Sequence, residues 1–192
     1  MSKILFITHD LYQEDNYFPL GYAYMAAILK RSGHKVKIYS QDVYHYPLKH
    51  LAKYLDNNNF DIIGIGFLSA RFKETVESLC RAVNQHKKDA WFVLGGPGPS
   101  PIPEYMLEKT GADIITIGET EETITEIVKA KNKKLALGKI KGIAYRENGK
   151  IIINPRHQPI INLDLIPLPA WSLFPMKKYT SCLKPFGIDN NE

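Results

Sequence analysis

Compact apolar runs alternate with longer stretches of helical period along most of the chain, and that alternation predicts its fold class. Lys3-Ile-Leu-Phe-Ile-Thr8 reads as a buried strand, and Lys35-Val-Lys-Ile-Tyr-Ser40 alternates like a strand with one drier face. Asp61-Ile-Ile-Gly-Ile-Gly-Phe67, Ala90-Trp-Phe-Val-Leu94 and Asp113-Ile-Ile-Thr-Ile117 complete a set of five strands. Between them lie helical segments. Leu20 to Arg31 carries Leu20, Tyr24, Ala27 and Ile28 on one stripe, with Gly33 as its stop. Leu48 to Leu55 is short, and a clearer stripe follows in Phe72, Val76, Leu79, Cys80 and Val83. A further helix runs from Ser100 through Lys109 to a stop at Gly111, and the last carries Ile124, Ile127 and Val128. Strands and helices in this order imply an α/β, doubly wound parallel sheet, whose strand ends gather every ligand loop on one rim.

After residue 137 the pattern changes. Two strands, Ile143 to Arg146 and Ile151 to Asn154, flank Glu147-Asn-Gly-Lys150, an Asn-Gly hairpin signal. A Pro-rich tail, Ile166 to Pro175, follows, and its Trp171, Leu173 and Phe174 are too apolar for a free linker. The chain therefore divides into a sheet domain (1–137), a hairpin appendage (138–156) and a linker-like tail (157–192).

Within the sheet domain the stretch Ala90-Trp-Phe-Val-Leu-Gly-Gly-Pro-Gly-Pro-Ser100 stands out. Gly95, Gly96 and Gly98 leave a shelf without side chains, where a flat or bulky ligand could lie against the backbone. Ser100 is placed to cap the next helix, with Pro101 in its first turn, so free N–H groups would face the shelf. A tight turn with no ligand explains the same residues, and this stretch alone leaves both open.

Composition narrows the function. With 44% hydrophobic and 23% charged residues the chain is globular rather than disordered. The net charge of +5 is mild, and the six lysines between Lys129 and Lys141 have no interleaved aromatics. A solvated loop, not a nucleic-acid surface, is expected there. Cys80 and Cys182 form no CxxC pair, and Cys80 falls on a helix stripe, as a core thiol would. No apolar run approaches the ~20 residues that span a bilayer, and the N-terminus reads directly as a strand, so no membrane partner is expected and the cytoplasm is the default location.

The rim excludes several chemistries. Ser69 and Ser100 lie at strand ends without a G-x-S-x-G elbow, and the six histidines show no metal spacing. Phe67-Leu68 and Gly118 stand where a phospho-receiver needs Asp and Lys. The loop after the first strand lacks G-x-G-x-x-G and the phosphate loop of flavodoxins. His9, at that strand's end, either touches a ligand or is a surface histidine. Glu119, Glu121 and Glu122 would repel a phosphate and more simply stabilise their own helix start. A large ligand with a neutral or singly charged tail suits this rim better than a triphosphate.

Four motifs in order resemble a family. Phe18-Pro-Leu-Gly-Tyr-Ala-Tyr-Met-Ala-Ala-Ile-Leu-Lys-Arg-Ser-Gly-His-Lys-Val36 is similar to the first helix of the cobalamin-binding domain that precedes many radical SAM enzymes. Gly95-Gly-Pro-Gly-Pro-Ser100, Gly111-Ala-Asp113 with Ile117-Gly-Glu-Thr-Glu121, and Ile166-Pro-Leu-Pro-Ala-Trp171 follow with that family's spacing. The resemblance implies a three-layer Rossmann-like (flavodoxin-like) sheet of order 2-1-3-4-5 with cobalamin at its C-terminal rim. The Asp-x-His-x-x-Gly of the B12 mutases is absent, so the resemblance implies base-off cobalamin with no protein histidine on cobalt. The benzimidazole tail would tuck beside Gly95 and Gly96. The other implied contacts are Thr8, His9, Asp10, Leu20 and Gly21, then Pro97, Gly98, Pro99 and Ser100, and finally Gly118, Glu119 and Thr120. Ser69, Ala70 and Arg71 would lie near the lower corrin face. The C-x-x-x-C-x-x-C motif of radical SAM enzymes is absent. The expectation is therefore a cofactor domain cut from a longer enzyme, non-catalytic by itself. Its partner would be a C-terminal radical SAM barrel holding a [4Fe-4S] cluster and S-adenosylmethionine, with methyl transfer to an unactivated carbon, or a cyclisation, as the outcome. Two other readings stay open: a free-standing domain for another nucleotide-like ligand, and a protein-interaction module.

Overall fold

The computed structural model describes residues 1–10, 18–68 and 77–182. Five strands run parallel: β1 (Lys3–Thr8), β2 (Lys35–Ser40), β3 (Ile62–Gly66), β4 (Trp91–Gly95) and β5 (Ile114–Thr116). β6 (Ile143–Glu147) and β7 (Lys150–Ile153) continue the same sheet antiparallel, giving the order β2-β1-β3-β4-β5-β6-β7. The parallel part thus has the expected order, but the hairpin is not set apart from it. Ile143, Ala144 and Tyr145 are buried opposite Thr116, Ile115 and Ile114, so the hairpin completes the sheet's far edge. Its turn has Asn148 at φ 49° and Gly149 at φ 77°, the left-handed pair that an Asn-Gly hairpin requires.

Helices cover both faces. α1 (Leu20–Arg31) and α6 (Glu121–Lys133) share one face; α3 (Leu48–Asp56), α4 (Glu77–His86) and α5 (Pro103–Thr110) share the other, and a four-residue α2 (Gln41–Tyr44) follows β2 directly. Side chains of a strand alternate between faces, so Leu5 and Ile7 meet Leu51, Leu79 and Met106, whereas Ile4 and Phe6 meet Leu29, Ile124 and Ile127. Each such fully buried Leu or Ile contributes about 1.5–3 kcal/mol. Cys80 is a core thiol as expected, with burial pushing it up to about 12. Phe72 and Val76 lie outside the described residues.

Two local expectations hold only in part. In α1 the buried residues are Ala23, Ala26, Ala27, Ile28 and Leu29, while Leu20 is 44% exposed. Ala27 and Ile28 are buried as the stripe predicts, whereas Leu29 and the small Ala23 and Ala26, which let the helix lie close to its neighbours, fall outside it. Lys129, Lys131 and Lys133 belong to α6 rather than to a loop, and Lys131 lies 5.0 Å over the Trp91 ring.

The tail folds back on the domain. Ala170 donates its N–H to the Ala23 carbonyl, and the Arg31 guanidinium holds the Leu165 carbonyl. α7 (Met176–Cys182) buries Tyr179 completely, and Phe174 is buried beside it. Ile161, Leu163, Leu165 and Leu168 stay exposed.

Candidate functional site

A cavity of about 780 Å³ opens on the C-terminal rim and runs down between the sheet and the α1–α6 layer. Its floor is Phe6 and Val93 from the sheet with Met25 and Ile124 from the helices. Gly64 is also in this wall, and it has no room for a side chain: a Cβ there would come within 2.7 Å of the Phe6 ring. The lining is mostly apolar and backbone, which suits a flat aromatic group more than an anion.

The structure brings many of the sequence-derived residues together. Thr8 and His9 line the cavity at the end of β1, Leu20 and Gly21 at the start of α1, and Gly95, Gly96, Pro97 and Ser100 at the end of β4 and in the turn after it. Gly118, Glu119 and Thr120 close it from the turn before α6. Asp10, Gly98 and Pro99 are not in its wall. Ser69, Ala70 and Arg71 lie outside the described residues.

The glycine shelf is real, but the protein's own side chains occupy part of it. A Cβ on Gly95 would come within 2.3 Å of Thr116 Oγ1, and one on Gly98 within 2.8 Å of the Phe67 ring. Gly96 has φ +91° and faces the Phe67 backbone at 3.2 Å, so a side chain is excluded there with or without a ligand. Ser100 does not cap a helix. α5 begins at Pro103 behind an Ile102 cap, and Ser100 Oγ instead accepts the Gly118 N–H at 2.8 Å. The Pro-Ser-Pro run holds the backbone out of the helix, and the serine links two rim turns that both line the cavity.

Polar groups at the mouth were less visible in the sequence. Tyr22 accepts the Gly66 N–H and lies 3.0 Å from the Ile7 carbonyl, bridging the ends of β1 and β3. Burial raises its phenol far above the ordinary value. Asp42, from the unforeseen α2, accepts the Thr8 hydroxyl at 2.5 Å and the Tyr179 hydroxyl at 2.6 Å. Burial raises its carboxyl above the usual range, against the pull of those hydrogen bonds. An Asp two residues past a strand's end was the available signal; its partner 137 residues later was not. His9 is half-buried edge-on to Phe67, with ring centroids 6.5 Å apart, and burial lowers its pKa so that it stays neutral near pH 7. Asp10 is buried and paired with His45 at 2.8 Å. Glu119 is used structurally, accepting the Ile160 N–H. Among the described residues no three His, Cys, Asp or Glu side chains could hold a metal ion, and no helix is long and apolar enough to cross a membrane.

A mostly parallel sheet with an apolar cavity at the C-terminal ends of its parallel strands defines a Rossmann-like domain, and that rim is where such folds bind ligands. Residues 14–128 match the B12 binding domain model, and the chain belongs to that family. It is 35% identical over 173 residues to the uncharacterized methyltransferase PH0819 of Pyrococcus horikoshii, covering 88% of this chain and 37% of that protein. It is 25% identical over 200 residues to the cytidylyl-2-hydroxyethylphosphonate methyltransferase of Streptomyces wedmorensis, covering 84% and 38%. The chain thus spans little more than a third of the length of these curated relatives. Its fold is shared with the cobalamin-dependent S-adenosylmethionine radical enzyme OxsB, solved with aqua-cobalamin and S-adenosylmethionine bound: TM-score 0.81 at 19% identity, over 95% of this chain and 25% of that one.

Proposed function

We propose that the chain is the cobalamin-carrying module of a radical SAM methyltransferase, and that the cavity takes the benzimidazole tail of base-off cobalamin. The observation that carries this reading is the apolar slot of about 780 Å³ at the rim, lined by residues of β1, β3 and β4 and of the α1–α6 layer. The residues present suit the group. Gly64, Gly66, Gly95 and Gly96 line the wall together with Phe6 and Tyr22, a mostly apolar lining that suits a heterocycle. When bound, cobalamin supplies a cobalt centre able to carry a methyl group. This chain's own residues bind and orient it. Gly95, Gly96 and Pro97 form one side of the entrance, Gly118, Glu119 and Thr120 the other, and the Ser100–Gly118 hydrogen bond fixes the gap between them. His9, kept neutral by burial, stands at the mouth as a polar contact for the corrin side.

Two further features support a longer enzyme with a [4Fe-4S] and S-adenosylmethionine barrel downstream. The curated relatives named as methyltransferases are more than twice as long as the matched region. The exposed strip of Ile161, Leu163, Leu165 and Leu168 has the character of a surface that another domain covers.

Titration of the purified chain with hydroxocobalamin tests the reading, followed by visible absorption. Saturable binding with a base-off spectrum is expected. Gly21→Trp, at a pocket position where nothing lies within 4 Å and the backbone φ is ordinary, is expected to weaken binding at least tenfold with an unchanged circular dichroism spectrum. Absence of saturable binding by the wild-type chain at high micromolar cobalamin overturns the reading.

A further inference from the structure

Three residues in the wall of the slot also hold the C-terminal segment. Phe18 lines the cavity and is the hub of an aromatic cluster, with the rings of Trp171, Phe174 and Tyr179 at 4.8, 5.0 and 5.2 Å from its own. Thr8 and Asp42 line the cavity too, and they form a buried chain with the same segment: Tyr179 O–H to Asp42 Oδ2 at 2.6 Å, and Thr8 O–H to Asp42 Oδ1 at 2.5 Å. Tyr179 is fully buried although its neighbours Lys177, Lys178 and Thr180 are exposed. Tyr179, with the half-buried Met176, therefore ties a helix whose Lys177, Lys178 and Thr180 face solvent to the wall of the cavity.

We propose that Tyr179 is a positioning residue for the corrinoid: the segment from Trp171 to Cys182 docks as a strap that sets Phe18, Asp42 and Thr8, so that docking of the strap and filling of the slot reinforce each other. This rests on the cobalamin reading above. If Phe18 swings away, the apolar wall opens to water, and if Tyr179 leaves, Asp42 loses a donor inside a dry site. Filling the slot packs against Phe18 from the other side and disfavours both movements. Linkage makes the effect reciprocal: whatever factor cobalamin adds to strap docking, the docked strap adds to cobalamin affinity.

Limited trypsinolysis reads the strap directly, because Lys177 and Lys178 are exposed on it and Lys53 in α3 provides a reference on the opposite face of the sheet. Saturating hydroxocobalamin is expected to slow cleavage after Lys177 and Lys178 by about fivefold or more relative to Lys53. Tyr179→Phe, which keeps the ring and removes the hydroxyl, is expected to speed that cleavage without ligand and to weaken cobalamin binding about three- to tenfold, with the circular dichroism unchanged. Saturated wild-type protein, shown by its spectrum to hold cobalamin but cleaved at these lysines as fast as the free protein, overturns the strap and leaves the cobalamin reading standing. Unchanged affinity in Tyr179→Phe does the same. Failure of the wild-type chain to bind cobalamin at all removes both.

Discussion

Asp42 shows how much a single buried carboxyl can set. It stands at the cavity wall with two hydroxyl donors, yet burial outweighs them and raises its pKa above the ordinary 3.8. A raised carboxyl favours its protonated form in the folded state. The stability it contributes is complete below the unfolded value and is lost as pH rises through the folded one. Asp42→Asn removes that titration. Relative to this variant, the wild-type protein is expected to lose stability from about pH 4 upward, at a slope approaching on the order of 1 kcal/mol per pH unit within the titration window. Urea midpoints of the two proteins at pH 4 to 8 check this, and parallel curves would contradict it. Little of this was legible in the sequence. Thr8 was named as a contact, but its partner lies on a four-residue helix too short for any period to reveal.

At the scale of elements, the glycine turn after β4 is shaped by protein neighbours as well as by a ligand. Gly95 pairs in register beside Gly66 at the end of β3, and Thr116 of β5 fills the space its missing Cβ leaves. Gly95→Ala is therefore expected to destabilise the domain by about 1–3 kcal/mol through overpacking. Adding Thr116→Ala should restore about half of that loss or more, a coupling that thermal unfolding of the single and double variants will show. Additive losses would mean that the glycine serves something other than this contact. The sequence marked the turn correctly because three glycines in four residues have few other uses. It misassigned Ser100, since a serine before a proline-started helix looks like a cap, and its bond to Gly118 spans two turns that are distant in sequence. The parallel order β2-β1-β3-β4-β5 was legible from the resemblance, while the joining of β6 to β5 depended on long-range burial of Ile143 and Ala144.

Taken whole, the molecule is a sheet whose helices do unequal work. Among the described residues, the α3–α4–α5 face packs a continuous core against the sheet, whereas the α1–α6 face packs low down and holds the cavity at the rim. That opening is the source of the functional reading, and the tail closes one side of it by way of Phe18. The tail's apolar character was plain in the sequence, and Phe174, one of the residues it singled out, is buried; Tyr179 was not legible, because it follows no period and packs on the side of α1. If the slot holds the nucleotide tail, affinity must depend on that tail and not on the corrin ring alone. Parallel titrations with hydroxocobalamin and with cobinamide, the corrinoid lacking the nucleotide and its benzimidazole, measure this most directly. Cobalamin is expected to bind at least tenfold more tightly than cobinamide, and equal affinities for the two would contradict the account.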